Sequence, residues 1–145
     1  MIYIGIDPGK SGAVAVLEDD GRIDWMKCSE TEHDIATYVK WWSVMDVKKF
    51  AVIEQVSAMP KQGVSSTFKF GQSYGFLRGL LVAHLIPFET VTPAKWQTFM
   101  RCRSGGDKNV TKAAAQRLFP DVKVTHANAD ALLLTEYARR TRSGD

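Results

Sequence analysis

The first quarter of the chain alternates apolar and polar positions over short segments, a pattern typical of β-strands. Residues 1–7 read Met-Ile-Tyr-Ile-Gly-Ile-Asp, which predicts a strand that ends in a carboxylate. A Pro-Gly-Lys-Ser-Gly turn over residues 8–12 leads to a second strand over residues 13–17. The acidic turn at residues 19–21 then predicts a hairpin to a third strand over residues 23–28. Three antiparallel strands should therefore open the protein.

After the third strand the pattern changes to helical spacing. Apolar residues recur three and four positions apart over residues 32–44, and Ser29 or Thr31 can cap the start of this helix. Residues 50–54, Phe-Ala-Val-Ile-Glu, then predict a buried strand that ends in another carboxylate. An antiparallel meander followed by a helix and a strand indicates an α/β fold.

The second half of the chain adds one strand and four helices. The further segments follow in this order: a loop over residues 57–67, a helix over 68–84, a strand over 88–91, a helix over 93–101, a helix that Asp107 or Asn109 caps and that ends at residue 118, and a helix over 126–140. We therefore expect one α/β domain over residues 1–145, with a mixed five-stranded sheet and helices on both faces.

Three glycines, Gly71, Gly75 and Gly79, lie within the long helix of residues 68–84. Each interior glycine costs about 1 kcal/mol relative to alanine, and a spacing of four residues places all three on one face. A face without side chains lets another backbone approach closely. Two alternatives stay open, since this face could pack against the protein's own sheet or against a second copy of the chain.

Composition narrows the class of protein without choosing a function. Hydrophobic residues make up 45% of the chain and charged residues 24%, as in ordinary globular domains. No apolar run reaches the roughly 20 residues that span a bilayer, and Met1 leads directly into a strand. We expect a cytoplasmic location, no membrane contact, and free thiols at Cys28 and Cys102. The net charge of +3 is weak evidence for a polyanionic partner, but residues 95–112 are locally basic and could form either a surface for such a partner or a solvated charged face.

Three carboxylates are candidates for the chemistry, because none has an obvious partner of opposite charge nearby in the sequence. Asp7 and Glu54 end predicted strands, and Asp130 lies in the first turn of the last helix. Only the fold could bring together residues so far apart. Three acids gathered at one place repel one another unless a cation neutralises them, and Mg²⁺ is the natural occupant of such a site.

The segments that hold these acids resemble those of the RuvC-type Holliday junction resolvases. Ile-Gly-Ile-Asp-Pro-Gly, Val-Ile-Glu-Gln and Ala-Asp-Ala-Leu-Leu occur in the family's order, and the likeness includes Phe-Gly-Gln-Ser-Tyr-Gly and spans nearly the whole chain. The resemblance implies a ribonuclease H-like fold and a metal-dependent endonuclease that hydrolyses DNA phosphodiesters symmetrically at four-way junctions. Asp7, Glu54 and Asp130 would bind two Mg²⁺ ions, for which Mn²⁺ would substitute.

The resemblance also implies partners. Branched DNA, in the form of a Holliday junction, would be the substrate. A homodimer would be needed for paired incision, since one chain carries only one set of carboxylates. The small size and the family pattern further suggest a phage or prophage origin.

The sequence departs from the family pattern one helical turn before the last aspartate. A fourth acidic or histidine ligand usually lies there, whereas this chain has Ala127. The adjacent His126 could coordinate a metal or act as an acid–base group, or it could be structural. Ala127 could equally be a replacement introduced to inactivate the enzyme.

Several residues are candidates for contact with DNA. We expect four lysines to bind phosphates, with Lys95 or Lys108 closest to the carboxylates by family resemblance: Lys61, Lys95, Lys108 and Lys112. Phe68 follows the loop that leaves Glu54 and could stack on a nucleotide at the crossover, with burial as the alternative.

Other classes of protein compete for the same motifs. The segment Gly-Ile-Asp-Pro-Gly-Lys-Ser has three residues between its glycines where a phosphate-binding loop needs four, and a strand rather than a helix follows it. Sugar kinases and actin-like proteins also have an Asp and glycines after the first strand of a ribonuclease H-like fold, but they need two domains of this kind, and 145 residues are too few for two. Two alternatives remain: another ribonuclease H-like nuclease that acts on RNA–DNA hybrid or other branched DNA, and an inactive module that binds junctions.

Overall fold

The computed structural model describes residues 1–57 and 61–142 and has one five-stranded sheet. Its strands are β1 (Ile2–Asp7), β2 (Ala13–Glu18), β3 (Ile23–Lys27), β4 (Lys49–Glu54) and β5 (Phe88–Val91). They lie in the order β3-β2-β1-β4-β5. Strands β1, β2 and β3 pair antiparallel, while β4 pairs parallel with both β1 and β5. The prediction of a mixed sheet is therefore confirmed.

Helices cover both faces of this sheet. They are α1 (Glu32–Ser43), α2 (Val64–Ala83), α3 (Pro93–Phe99), α4 (Lys108–Leu118) and α5 (Ala129–Arg142). One core cluster contains Trp96 of α3, Ala115 of α4 and Leu132 of α5, and the other contains Val39 of α1 and Leu81 of α2. The predicted arrangement of helices on both faces is confirmed.

Helix α5 packs directly on the central strand β1, and Gly5 makes this possible. A Cβ atom at position 5 would lie 2.2 Å from the carbonyl oxygen of Ala131 and 2.6 Å from the backbone nitrogen of Thr135. Any other residue would push α5 away, because neither backbone atom can move independently of its helix. Gly5 thus brings the first turn of α5, which carries Asp130, close to the end of β1.

Helix α2 begins earlier than the sequence pattern predicts. It starts at Val64 rather than residue 68, with Gly63 as its N-cap in an extended conformation and the backbone N–H of Thr67 donating to the Gly63 carbonyl. The residues assigned to the end of the loop, Val-Ser-Ser-Thr, have only modest helix propensity, so the sequence pattern places the start of this helix too late. Residues 58–60 of the predicted loop lie outside the described residues.

Helix α5 begins later than predicted, at Ala129 rather than residue 126. Asn128 is fully buried, and its side chain accepts a hydrogen bond from the Thr125 backbone and donates one to the Lys123 carbonyl. These bonds stabilise a turn where the sequence pattern predicts helix. His126 therefore lies in a turn and not on a helix.

Two other helix ends are settled by local conformation. Helix α3 ends at Phe99, two residues earlier than predicted, and Arg101 has a φ of 57°, which is incompatible with a continued helix. Asp107, one of the two predicted caps, is the N-cap of α4, since its carboxylate accepts from the backbone N–H of Asn109 at 2.9 Å. The strand at residues 88–91 occurs as predicted.

The glycine face of α2 does not pack against the protein's own sheet. A Cβ atom built at Gly71, Gly75 or Gly79 would meet no heavy atom within 4 Å among the described residues. The interpretation of this face as internal packing is therefore wrong, because the helix buries other positions, Leu77 and Leu81. The face points away from the core and is open.

Two expectations from composition can be compared with the structure. Cys28 and Cys102 are both buried free thiols, as predicted. Within residues 1–57 and 61–142, none of the helices combines the length and the apolar character needed to cross a membrane.

Candidate active site

The three predicted carboxylates converge at one edge of the sheet. Asp7 ends β1, Glu54 ends the adjacent parallel strand β4, and Asp130 lies in the first turn of α5. One ligand atom from each lies within 4.8 Å of the other two. The carboxyl ends of neighbouring parallel strands meet at the same edge, and the close packing of α5 on β1 adds the third acid.

Burial makes this cluster electrostatically unfavourable for three free negative charges. Burial, followed by the charges of Glu54 and Asp130, raises the pKa of Asp7 well above its ordinary value. Burial also raises the pKa of Glu54 from 4.5 to about 7, with a further contribution from Asp130. The pKa of Asp130 is raised for the same primary reason. A divalent cation with a preference for oxygen ligands would offset these charges, so the three residues fit a metal such as Mg²⁺.

The turn after β1 holds Asp7 in a tight backbone geometry. A Cβ atom at Gly12 would lie 1.9 Å from the Asp7 carbonyl oxygen, so only glycine allows the chain to return at this point. Gly9 has a φ of 103°, and its backbone N–H donates to Ser73 Oγ at 3.2 Å. Phe70 covers Gly9, at 2.7 Å from the place that a Cβ atom would take. The N-terminal half of α2 therefore supports the turn that carries Asp7.

Two neighbours of the cluster are not among the predicted site residues. The indole Nε1–H of Trp96 donates to Glu54 Oε2 at 2.8 Å, and a hydrogen bond with the Thr111 side chain lowers the pKa of Asp130 against the effect of burial. Neither residue belongs to a motif, and Trp96 is 42 positions from Glu54. The sequence offers no local signal for either contact.

Among the four predicted phosphate-binding lysines, Lys108 is the one whose charge acts on the cluster. It lowers the pKa of both Asp7 and Asp130, from its position at the start of α4. Lys61 and Lys95 are exposed, and Lys112 is partly buried on α4. Their contact with phosphates stays a prediction.

Phe68 is 66% exposed on the first turns of α2, so the alternative that it is buried in the core is wrong. Its stacking on a nucleotide stays a prediction. His126 is exposed in the turn before α5 and does not belong to the group of converging ligand atoms found among the described residues. Ala127, three residues before Asp130, contributes no ligand. A role for His126 in the chemistry likewise stays a prediction.

Comparison with solved structures identifies the fold. Thermus thermophilus RuvC matches with a TM-score of 0.59 at 14% sequence identity, over 99% of this chain and 97% of that one. The complex of T. thermophilus RuvC with a Holliday junction substrate matches with a TM-score of 0.60 at 13% identity, over the same shares. No family model and no curated protein sequence matches the chain. The chain therefore has a RuvC-like, ribonuclease H-like fold, as its motifs predict.

We expect the metal-free protein to be less stable at about pH 8 than at about pH 5. Glu54 has a pKa of about 7 in the folded chain against an ordinary value of 4.5, so the folded state holds this proton over the interval between them. The free energy of unfolding should therefore fall as the pH rises through that interval, by on the order of 3 kcal/mol for Glu54 alone. Urea unfolding in the presence of a chelator, at both pH values, measures the difference.

The matched control is Glu54→Gln, which removes the titrating group and should reduce this pH dependence. Adding Mg²⁺ at the higher pH should restore stability to the wild type, because a ligand that binds only the folded state stabilises it. Equal pH dependence in the wild type and in Glu54→Gln would contradict the assignment of the effect to this carboxylate.

Proposed function

We propose that the protein is a metal-dependent endonuclease that hydrolyses DNA phosphodiesters at four-way junctions. The observation that carries the proposal is the convergence of Asp7, Glu54 and Asp130, with ligand atoms within 4.8 Å of one another. The RuvC-like fold supports it, since one of the matching structures is T. thermophilus RuvC with a Holliday junction substrate. The motifs around the three acids support it independently.

The three carboxylates would hold Mg²⁺, for which Mn²⁺ would substitute, and we propose two ions per site. Bound cations of this kind supply charge neutralisation at a phosphodiester and activation of a water molecule. The protein's own part is to hold three acids together in a partly buried place, where their negative charges repel one another without a cation. His126 is proposed as an additional acid–base group.

The surface around the carboxylates would bind the DNA backbone. The charge of Lys108 lowers the pKa of Asp7 and Asp130, which supports the proposal that this lysine attracts a phosphate to them. We propose that three more lysines extend this surface: Lys61, Lys95 and Lys112. Exposed Phe68 would stack on a base near the crossover, because an aromatic ring that is not buried is free to do so.

We further propose that the protein acts as a homodimer through helix α2. The open glycine positions lie on one stripe of α2 together with exposed apolar residues, Val64 at 88%, Phe68 at 66% and Val82 at 60% exposure. Exposed apolar residues that follow one helix face are typical of interfaces. A two-fold axis would give two carboxylate sites for the two strands of a junction.

We expect Asp7→Asn, Glu54→Gln and Asp130→Asn each to abolish cleavage while junction binding survives. Each change removes one negative ligand and leaves the basic surface intact, so the loss should fall on the chemical step. A cleavage assay with Mg²⁺ on four-way junction, flap, duplex and RNA–DNA hybrid measures both the effect and the substrate. Preference for the hybrid or for another branched DNA would favour the first alternative, and binding without cleavage by the wild type would favour an inactive module.

We expect alanine at each true phosphate-binding lysine to reduce the slope of log affinity against log salt by about one unit, because one fewer counterion is released. The variants are Lys61→Ala, Lys95→Ala, Lys108→Ala and Lys112→Ala. Lys40→Ala, an exposed lysine near the end of α1, is the control and should leave the slope unchanged. An unchanged slope in all four variants would remove this surface from the proposal.

We expect Gly75→Leu to give a folded monomer, because a leucine side chain separates two helices in contact, whereas a Cβ atom at this position meets no heavy atom within 4 Å among the described residues. Sedimentation measures the oligomeric state, and circular dichroism shows that the variant is folded. Paired incision is contradicted if the wild type stays monomeric at micromolar concentration with junction DNA present. A monomeric ribonuclease H-like nuclease would then be the better description.

A further inference from the structure

Trp96 is a core residue whose side chain makes a direct hydrogen bond to Glu54, one of the three candidate metal ligands. Its Nε1–H donates to Glu54 Oε2 at 2.8 Å, and its side chain is fully buried, with 0% exposure. We propose that Trp96 is a positioning residue that holds the Glu54 carboxylate ready to bind the cation. This inference rests on the proposed function, since it gives Trp96 a role in the same site.

Backbone hydrogen bonds fix the positions of Glu54 and Trp96 relative to each other. Glu54 is paired with Val91 at the ends of β4 and β5, and the next backbone N–H, of Gln55, donates to the Val91 carbonyl at 2.7 Å. Helix α3 begins immediately after β5, with Thr92 as its N-cap. Trp96 therefore lies one helical turn from the strand that pairs with β4, and its ring reaches Glu54 from a rigid element.

The chemistry of the donor suits this role. The indole N–H is a neutral donor without acceptor capacity, so it orients a carboxylate without cancelling its charge. A lysine or arginine in the same place would neutralise Glu54 and compete with a cation for it. Because the hydrogen bond uses Oε2, the other carboxylate oxygen is left for the metal, and the side chain loses little freedom when the cation binds.

Trp96→Phe tests the role, since phenylalanine keeps an aromatic ring in the core and removes the N–H. We expect the dissociation constant for Mn²⁺, measured by calorimetry without DNA, to rise about 10-fold or more, as for other hydrogen-bond partners of metal ligands. Trp42→Phe is the matched control, because Trp42 is 5% exposed and lies in the other core cluster. It changes a buried tryptophan in the same way and should keep the wild-type affinity for Mn²⁺.

A second readout follows the hydrogen bond directly. The chain has four tryptophans, so a ¹H–¹⁵N spectrum should contain four indole resonances, and the one missing in Trp96→Phe belongs to Trp96. We expect this resonance to shift when Mg²⁺ is added to the wild type. Cleavage by Trp96→Phe should recover as the Mg²⁺ concentration is raised, which would not happen if the variant were simply misfolded.

The outcomes separate the inference from the proposed function. If the wild type binds Mn²⁺ and folded Trp96→Phe binds it equally well, with the Trp96 resonance unmoved by Mg²⁺, Trp96 is only a core residue and the inference is overturned. If the wild type and its carboxylate variants alike bind no divalent cation, the proposed function fails and the role of Trp96 falls with it. If Trp96→Phe does not fold, the Trp96 resonance is assigned by elimination from the spectra of Trp25→Phe, Trp41→Phe and Trp42→Phe. Its response to Mg²⁺ in the wild type then decides alone, and no response overturns the inference.

Discussion

The close contact between helix α5 and strand β1 is the constraint on which the site depends. Gly5 lies where any side chain would collide with the backbone of α5. A glycine in a strand interior weakens the strand, and here that cost is offset by an approach that no other residue permits. Asp130 reaches Asp7 because of this contact. A glycine on one strand thus decides where the carboxylate of Asp130, on a helix distant in the sequence, lies.

The pKa values of the three clustered acids indicate that this site is built to bind a cation. Burial raises the pKa of all three acids, so the folded chain opposes their full ionisation without a counter-charge. Structural carboxylates are normally paired, as Glu136 is with Arg139 and Arg140 on α5. The ion pairs of Glu136 need no further group, whereas the charges of the three clustered acids would be offset by a bound cation.

The two faces of the sheet have different relations to the site. Helices α3, α4 and α5 cover one face and supply the groups next to the carboxylates, namely Trp96, Lys108 and Asp130. Helices α1 and α2 cover the other face, and α2 contacts the turn after β1 through Ser73. The rest of α2 presents an open stripe. One face therefore positions the carboxylates, whereas the other offers the surface that a second copy would need.

The sequence by itself determined which segments form strands, which form helices, and which three acids are candidates for the site. Alternation, helical spacing and carboxylates at strand ends are local patterns, so they can be read without the fold. It did not determine the start of α2 or α5, since the N-cap at Gly63 and the buried bonds of Asn128 override weak propensities. Nor did it determine which way the glycine face points. The contact of Trp96 with Glu54 was equally out of reach, because no periodicity relates two residues that meet only when β5 pairs with β4. Such contacts are decided by tertiary structure, which brings together groups whose separation along the chain carries no signal.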